Sequence, residues 1–177
     1  MCSNTKQKIA RSLKQLMSER PLSKITVQDL MESAQMKRQS FYYHFQDIYD
    51  VLGWICERQL GAPLRDDPEP DFEAWCLRLI ALMDEDRAFY RRVLLAGSPE
   101  IVREFCEGLT RPRVSRLLFQ ADDPRTLPRQ RAFAVDFCAK ALTNYFVELC
   151  SSRKALDWAE VRCCLRGLLE VLRPAEE

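Results

Sequence analysis

The chain has 177 residues, of which 47% are hydrophobic and 30% charged, and its net charge is +1. These values exclude a disordered chain and fit one compact domain or a small module joined to a larger one. No stretch approaches the ~20 apolar residues that cross a bilayer, and the first residues lack the apolar core of a signal peptide, so we expect a cytoplasmic protein. Five glycines and little strand-like alternation indicate an all-α fold.

The charge is divided unevenly along the chain. Residues 1–46 contain eight Lys or Arg and three acidic residues, whereas residues 47–177 contain 19 basic and 23 acidic residues. A basic head on an acidic body is typical of a protein that meets phosphate groups on one side only. The pattern therefore predicts two parts with a boundary between residues 46 and 47.

Three helices are predicted in the head. The first covers about residues 5–18, where apolar residues recur on one face. The second opens at Thr26, because Thr26 and Asp29 have the spacing of a capping box. After a tight turn at Gln35 and Met36, a third helix is expected over 37–46.

The body is predicted to hold about six more helices, which gives about nine in total. They are expected over 47–60, 72–83, 87–95, 98–119, 128–151 and from Asp157 onward, with loops at 61–71 and 121–128. Pro112 is expected to break or kink the fourth of them.

The helix over 128–151 is apolar on more than one side. A helix of this kind must be covered on two sides, and a partner chain is the simplest cover for the second. We therefore expect a homodimer in which the last two helices of each subunit form a four-helix interface. The residues expected at that interface are Phe133, Ala141, Tyr145, Leu165, Leu168 and Leu172.

The third helix combines a buried side with an unusual polar side. On a helical wheel, Phe41 and Phe45 face inward, whereas Gln39 and Tyr43 point away from the core. Amide and guanidinium groups suit base edges in the major groove, and phenol or imidazole groups suit phosphates. The sequence therefore predicts a helix-turn-helix that binds double-stranded operator DNA. Lys37 and Arg38 lie at the N-terminal end of this polar face, and Ser40, Tyr42 and His44 flank it.

The segments TVQDL (26–30) and RQSFYYHF (38–45) resemble the DNA-binding segment of the TetR family of bacterial transcriptional regulators. The resemblance is close over about the first 55 residues, and within the family the chain looks most like the DhaS-like subgroup, which regulates dihydroxyacetone-kinase operons. It implies a helical ligand-binding and dimerisation domain after the helix-turn-helix. It further implies base contacts from Gln39, Ser40 and Tyr43 and phosphate contacts from Thr26, Tyr42 and His44.

One position departs from the family pattern. Members usually carry a lysine at the start of the fourth helix, where it binds the DNA backbone, and Ile48 occupies that position. The departure predicts one phosphate contact fewer, for which Lys37 and Arg38 could compensate.

The resemblance also implies a small-molecule effector or a partner protein bound to the body. Five aromatic residues could line such a pocket or could be plain core: Trp54, Trp75, Phe89, Phe105 and Phe137. Neither the effector nor the sign of regulation follows from the sequence.

Other functions find less support. His44 is the only histidine, so a Ser or Cys nucleophile lacks its usual base, and neither a glycine-rich phosphate loop nor a C-x-x-C pair occurs. We expect no enzyme, no metal and no cofactor. The eight cysteines are expected to be buried filler, with a thiol-based redox regulator using Cys2 or Cys163 and Cys164 as one alternative. A helical dimeric adaptor that has lost DNA binding is the other, and Ile48 is its only support.

Overall fold

The computed structural model describes residues 2–65 and 71–172 of the chain. Within these ranges the regular structure is entirely helical, so the all-α prediction is confirmed. We number nine helices, of which the fourth changes its winding partway along. Their bounds are α1 Cys2–Glu19, α2 Val27–Ser33, α3 Arg38–Phe41, α4 Ile48–Cys56 with its continuation to Arg65, α5 Phe72–Glu85, α6 Arg87–Ala96, α7 Pro99–Phe119, α8 Arg129–Ser151 and α9 Trp158–Leu172.

Helices α1 to α3 form the head, and they share one hydrophobic core with the body. Leu13 of α1, Leu30 of α2 and Phe41 of α3 are fully buried. The same cluster of buried side chains continues through Val51 on α4 to Leu169 on α9. The proposed boundary after residue 46 falls just before α4, and it stays a prediction.

Helix α3 is shorter than the sequence predicted. It ends at Phe41 rather than near residue 46, and Tyr42–His44 form a turn in which the amides of His44 and Phe45 both donate to the carbonyl of Phe41. The reason is the start of α4, where the Asp47 carboxylate accepts a hydrogen bond from the Asp50 amide at 2.8 Å. This cap requires extended backbone at Asp47, which is incompatible with a helix continuing through it.

Helix α4 is longer than predicted and contains a π-helical turn over Glu57–Gly61, followed by a last α-helical turn over Ala62–Arg65. The prediction of a loop from residue 61 onward was wrong for these residues, and residues 66–70 lie outside the described ranges. Pro63 gives a physical reason for the wider turn. Proline lacks an N–H and its ring clashes with the carbonyl four residues earlier, and a π turn relieves that clash.

Helix α7 continues unbroken past Pro112. The sequence predicted that Pro112 would break or kink this helix, and the predicted break was wrong. An internal proline costs about 3 kcal/mol in an isolated helix. Here α7 packs against α4, α6 and α8, and this burial offsets the lost hydrogen bond.

The C-terminal end of α8 is held by two arginines of α6. Nη2 of Arg87 donates to the carbonyl oxygens of Leu149 at 2.8 Å and Lys154 at 2.7 Å. Nε of Arg91 donates to the Ser151 carbonyl at 3.1 Å. Carbonyls at a helix end have no partner within the helix and carry partial negative charge, so these cations stabilise the end of α8.

Four side chains join the head to the body, and we call them the head–body junction: Lys14 of α1, Gln59 of the π turn, Asp86 before α6 and Tyr90 of α6. Lys14 forms an ion pair with Asp86. The Gln59 amide donates to Asp86 at 3.2 Å and accepts from the buried Tyr90 hydroxyl at 3.1 Å. The π turn thus lies at the contact between head and body.

Every helix within the described residues is too short or too polar to cross a membrane.

Candidate nucleic-acid interface

A reciprocal cap fixes the start of α2. The Thr26 hydroxyl accepts from the Asp29 amide at 3.2 Å, and an Asp29 carboxylate oxygen accepts from the Thr26 amide at 2.8 Å. The capping box predicted from the sequence is therefore present. The hydrogen bonds from Thr26, with a smaller contribution from nearby Arg20, lower the pKa of Asp29 below its ordinary value.

The left-handed backbone conformation of Gln35 sets the angle between α2 and α3. Gln35 has a φ of 54°, which few non-glycine residues adopt. The Met36 amide then donates back to the carbonyl of Met31 at 2.8 Å, which closes the helix end. The tight turn expected at these two residues lies where the sequence placed it.

An aromatic chain anchors α3 from below. Phe41 and Phe45 are buried with ring centroids 5.9 Å apart, and Phe45 meets Trp54 of α4 edge-on at 6.3 Å. The Lys6 ammonium of α1 lies 5.1 Å from the centre of the Phe45 ring. The inward direction of both phenylalanines agrees with the helical wheel, and contacts from two other helices set the orientation of α3.

The opposite side of α3 is exposed. Tyr43 is 78% and Tyr42 55% exposed, although tyrosine usually buries most of its ring. Gln39 is also exposed, and Lys37 and Arg38 are exposed at the N-terminal end of the helix. Ser40 and His44 are half-buried at its flanks. The structure therefore brings seven of the eight residues predicted to contact DNA onto one short surface.

Thr26, the eighth, stands at the start of α2 with both of its donors in use. Its hydroxyl donates to an Asp29 carboxylate oxygen at 2.7 Å, and its amide donates to the same oxygen. A phosphate contact from Thr26 would require exchange of one of these bonds.

The start of α4 differs from what a phosphate-binding position requires. Ile48 is half-buried against the core, and the exposed carboxylates of Asp47 and Asp50 cap the helix on either side of it. Their negative charge is favourable at a helix N-terminus but repels phosphate. Tyr49, which the sequence analysis did not select, is 51% exposed at this position and offers a phenol. The position of Tyr49, one residue after Ile48, was the sequence signal that could have identified it as a candidate phosphate contact.

The five aromatic residues suggested for an effector pocket do not meet in one cavity of the described structure. Trp54 packs on Phe45, and Phe89 is buried beneath the Lys14 ammonium. Phe105 is partly buried on α7, and Phe137 is 65% exposed on α8. Trp75 and Trp54 line two separate clefts that contain charged groups.

An apolar groove runs between α8 and α9, with a volume of about 340 Å³. It opens because α9 packs chiefly on α5, where Arg166 pairs with Glu73 at 3.0 Å. Of the residues predicted for a dimer interface, Phe133 (70% exposed) and Ala141 lie at the surface, whereas Leu165 is buried in the protomer's own core. Five of the predicted interface residues line this α8–α9 groove, together with Phe137 from the predicted effector pocket: Ala141, Tyr145, Leu165, Leu168 and Leu172.

The cysteines with described side chains are buried or exposed, apart from the half-buried Cys138. Cys56, Cys76, Cys106 and Cys150 are buried, and burial raises the pKa of the Cys56 and Cys150 thiols to about 12. Thiols of this kind are unreactive. In contrast, Cys163 and Cys164 are exposed, so the expectation of buried filler was wrong for them. The Cys2 side chain lies outside the described part.

The comparisons with known proteins agree with this geometry. Residues 9–53 match the family of bacterial regulatory proteins described as the tetR family. The chain is 32% identical over 94 residues to the HTH-type dhaKLM operon transcriptional activator DhaS of Lactococcus lactis subsp. lactis (strain IL1403). That match covers 51% of this chain and 49% of the relative, so the chain spans about half the length of the curated relative that it matches.

Two solved structures are also similar. The dihydroxyacetone kinase operon activator DhaS superposes with a TM-score of 0.68 at 21% identity, over 96% of this chain and 98% of that one. This likeness shows that the two share a fold. The TetR family repressor AlkX from Dietzia sp. strain DQ12-45-1b gives a TM-score of 0.46 at 14% identity, over 94% of both chains. The curated relative is named as a transcriptional activator, and the match to the tetR family of bacterial regulatory proteins is confined to residues 9–53 of this chain.

Proposed function

We propose that this protein is a dimeric, sequence-specific DNA-binding transcriptional regulator whose body responds to a small-molecule effector or a partner protein. The observation that carries the proposal is the outer surface of α3 and of the turn that follows it, where Gln39, Tyr42 and Tyr43 are exposed while the buried Phe41 and Phe45 anchor the segment. Two such surfaces in a dimer would address successive major grooves, roughly 34–36 Å apart or a modest multiple, on a near-palindromic operator.

The proposal is tested by selection from a library of random-sequence DNA duplexes. The full-length protein should enrich a near-palindromic sequence, and its affinity for that sequence should fall steeply as salt rises. Because the chain is similar to the DhaS activator, DNA upstream of dihydroxyacetone-kinase genes is the first natural target to compare with the enriched sequence. Failure to enrich any sequence, at low as well as moderate salt, would favour the non-DNA-binding adaptor instead.

Substitutions on α3 should separate base contacts from phosphate contacts. Replacing Gln39 or Tyr43 by alanine should relax the sequence preference by about 1–3 kcal/mol per half-site, because these side chains point toward base edges. Tyr42→Phe should weaken binding to all sequences alike. Titrations of the selected duplex and of single-base variants measure both effects, with Gln46→Ala as a control outside α3. An unchanged preference in Gln39→Ala would show that the base-contacting side is assigned incorrectly.

Ile48 offers a second test. Ile48→Lys should strengthen binding to any duplex and steepen the logarithmic dependence of affinity on salt by about one unit, since it adds one phosphate contact. Ile48→Met, which adds no charge, should leave the slope unchanged. Equal slopes for the two variants would mean that the start of α4 does not approach the backbone, where Asp47 and Asp50 oppose it.

The α8–α9 groove supports the proposed dimer. Its lining is apolar, and Phe133 and Phe137 extend the apolar surface along α8 with ring centroids 6.3 Å apart. Exposed aromatic side chains in a continuous patch of this kind usually mark an interface. A second copy that presents the same groove would form the four-helix arrangement expected from the sequence.

The head–body junction supports control of the head by the body. Lys14 belongs to the head, Asp86 and Tyr90 to the body, and Gln59 of α4 contacts both Asp86 and Tyr90. A displacement of the π turn would therefore alter the contact that orients the head. Such a change would shift the population between two dimer geometries with different spacings of the recognition helices.

The exposure of Cys163 and Cys164 keeps a thiol-based regulator as the second candidate. It predicts that peroxide changes operator affinity and that the double replacement by serine abolishes the response. Persistence of the response in the double variant would exclude these two thiols.

A further inference from the structure

A cleft bordered by arginines lies beyond the end of α4, enclosed by α4, α5 and α7, with a volume of about 380 Å³. This size suits a small organic molecule. We call it the arginine cleft. Its apolar floor is formed by Trp75, Leu64 and Leu109, and its charged rim by Arg65, Arg113 and Arg116.

Among the described residues that line the arginine cleft, every charged side chain is basic. Arg65 donates to Glu57 of the π turn at 3.2 Å, and Arg116 donates to Asp122 at 2.7 Å. Arg113 lies over the Trp75 ring, 5.6 Å from its centre. Neither Glu57 nor Asp122 lines the cleft, so these carboxylates hold two guanidinium groups at the rim from outside. Each guanidinium binds its carboxylate through two nitrogens, Nη1 and Nη2 in Arg65 and Nε and Nη2 in Arg116, and its remaining N–H groups can donate to an oxyanion.

The wall formed by α7 is unusually open. Gly108 lies in mid-helix with free space where a Cβ would stand. Pro112 has no N–H, so the Gly108 carbonyl lacks its main-chain donor four residues later, and both residues line the cleft. A glycine and a proline inside one helix each reduce its stability.

We propose that the arginine cleft binds a small organic acid, with its anionic group at Arg65 and Arg116 and its apolar body on Trp75, Leu64 and Leu109. The proposal deepens the proposed function, on which it rests, by assigning the class of effector and its site. The anion competes with Glu57 for Arg65. Because Glu57 and Gln59 share the π turn, release of Glu57 changes the hydrogen bonds from Gln59 to Asp86 and Tyr90. Because Asp86 forms an ion pair with Lys14 of α1, this change in hydrogen bonding is transmitted to the head.

Binding is tested with the full-length protein and three probes: benzoate, its neutral analogue benzamide and inorganic phosphate. The readout is the indole N–H signal of Trp75 in ¹H–¹⁵N spectra, assigned with Trp75→Phe. Benzoate at millimolar concentrations should shift this signal, benzamide should bind on the order of tenfold more weakly, and phosphate alone should bind weakly. Absence of a shift with benzoate and phosphate alike would overturn the proposal, and equal affinities for benzoate and benzamide would overturn the role of the arginines.

Charge-removing variants locate the anion. Arg65→Gln and Arg116→Gln should each reduce benzoate affinity on the order of tenfold. Arg103→Gln is the matched control, since Arg103 also lies on α7 but binds Asn144 of α8 at 2.7 Å, outside the cleft. Loss of affinity in the control to the same extent would contradict the assignment.

The coupling is tested with the duplex enriched by selection. Benzoate should change the dissociation constant of that duplex severalfold in the wild-type protein, and Asp86→Asn should abolish this change while it still binds benzoate. A retained response in Asp86→Asn would overturn the route through the head–body junction. Benzoate binding needs no DNA, so failure of the cleft and failure of the proposed function are distinguished.

Discussion

Replacing Ala141 by arginine is expected to break the proposed dimer into monomers and to weaken binding to the proposed operator by about a hundredfold or more. Ala141 is exposed in the protomer, so the substitution should not disturb its own fold. It places a long cation in the α8–α9 groove, whose lining is otherwise apolar, and burial of an unpaired charge at an interface is strongly unfavourable. A monomer binds one half-site and loses the gain from simultaneous binding at two.

Sedimentation velocity gives the mass, circular dichroism gives the helix content, and gel shifts give the affinity for the selected duplex. Ala159→Arg is the matched control, because Ala159 is an exposed alanine on α9 outside the groove. Both variants should retain wild-type helicity. A dimeric Ala141→Arg variant with unchanged affinity would locate the interface elsewhere.

Replacing Arg87 by alanine is expected to lower the free energy of unfolding by about 2–4 kcal/mol, since hydrogen bonds to charged groups contribute about 1.5–3 kcal/mol. Arg87 links α6 to the C-terminal end of α8. Its guanidinium donates to the carbonyls of Leu149 and Lys154 and also to Asp84 at 2.7 Å. Its side chain is 20% exposed, so solvent screens these contacts only in part. Removal leaves the end of α8 and the Asp84 carboxylate without this partner.

Urea denaturation measures this loss, provided that the protein concentration is held constant, because formation of the proposed dimer would contribute to the apparent stability. Arg91→Ala, which removes one described contact to a carbonyl, should cost less, and replacement of the exposed Arg92 should cost least. An Arg87→Ala variant as stable as Arg92→Ala would mean that water replaces the arginine at the end of α8.

Much of the head followed from short-range patterns in the sequence. The Thr26–Asp29 cap, the turn at Gln35 and the inward direction of Phe41 and Phe45 depend on residues no more than four positions apart, where spacing and backbone preference decide the outcome. The length of α3 was predicted incorrectly, because the cap at Asp47 belongs to the next helix and competes with continuation of this one.

The body was predicted less well, since its features depend on residues far apart in the chain. Nothing in the sequence distinguished the five aromatic residues suggested for an effector pocket from one another. In the structure, packing distributes them among the core, the surface and the arginine cleft. A helical wheel shows which side of a helix is apolar but not which neighbour covers it. For that reason it indicated the apolar surface of α8 without indicating that α9 would leave a groove beside it.

The sequence by itself determined the helical class and the outward polar surface of α3, because helix periodicity and capping are local properties of the chain. Only the tertiary structure decided two features: the junction that pairs Lys14 with Asp86, and the arginine cleft. Each depends on the packing of helices that are distant in sequence, since the two partners of the ion pair are 72 positions apart. Local patterns carry no information about such contacts, since many arrangements of the same helices satisfy the same periodicity.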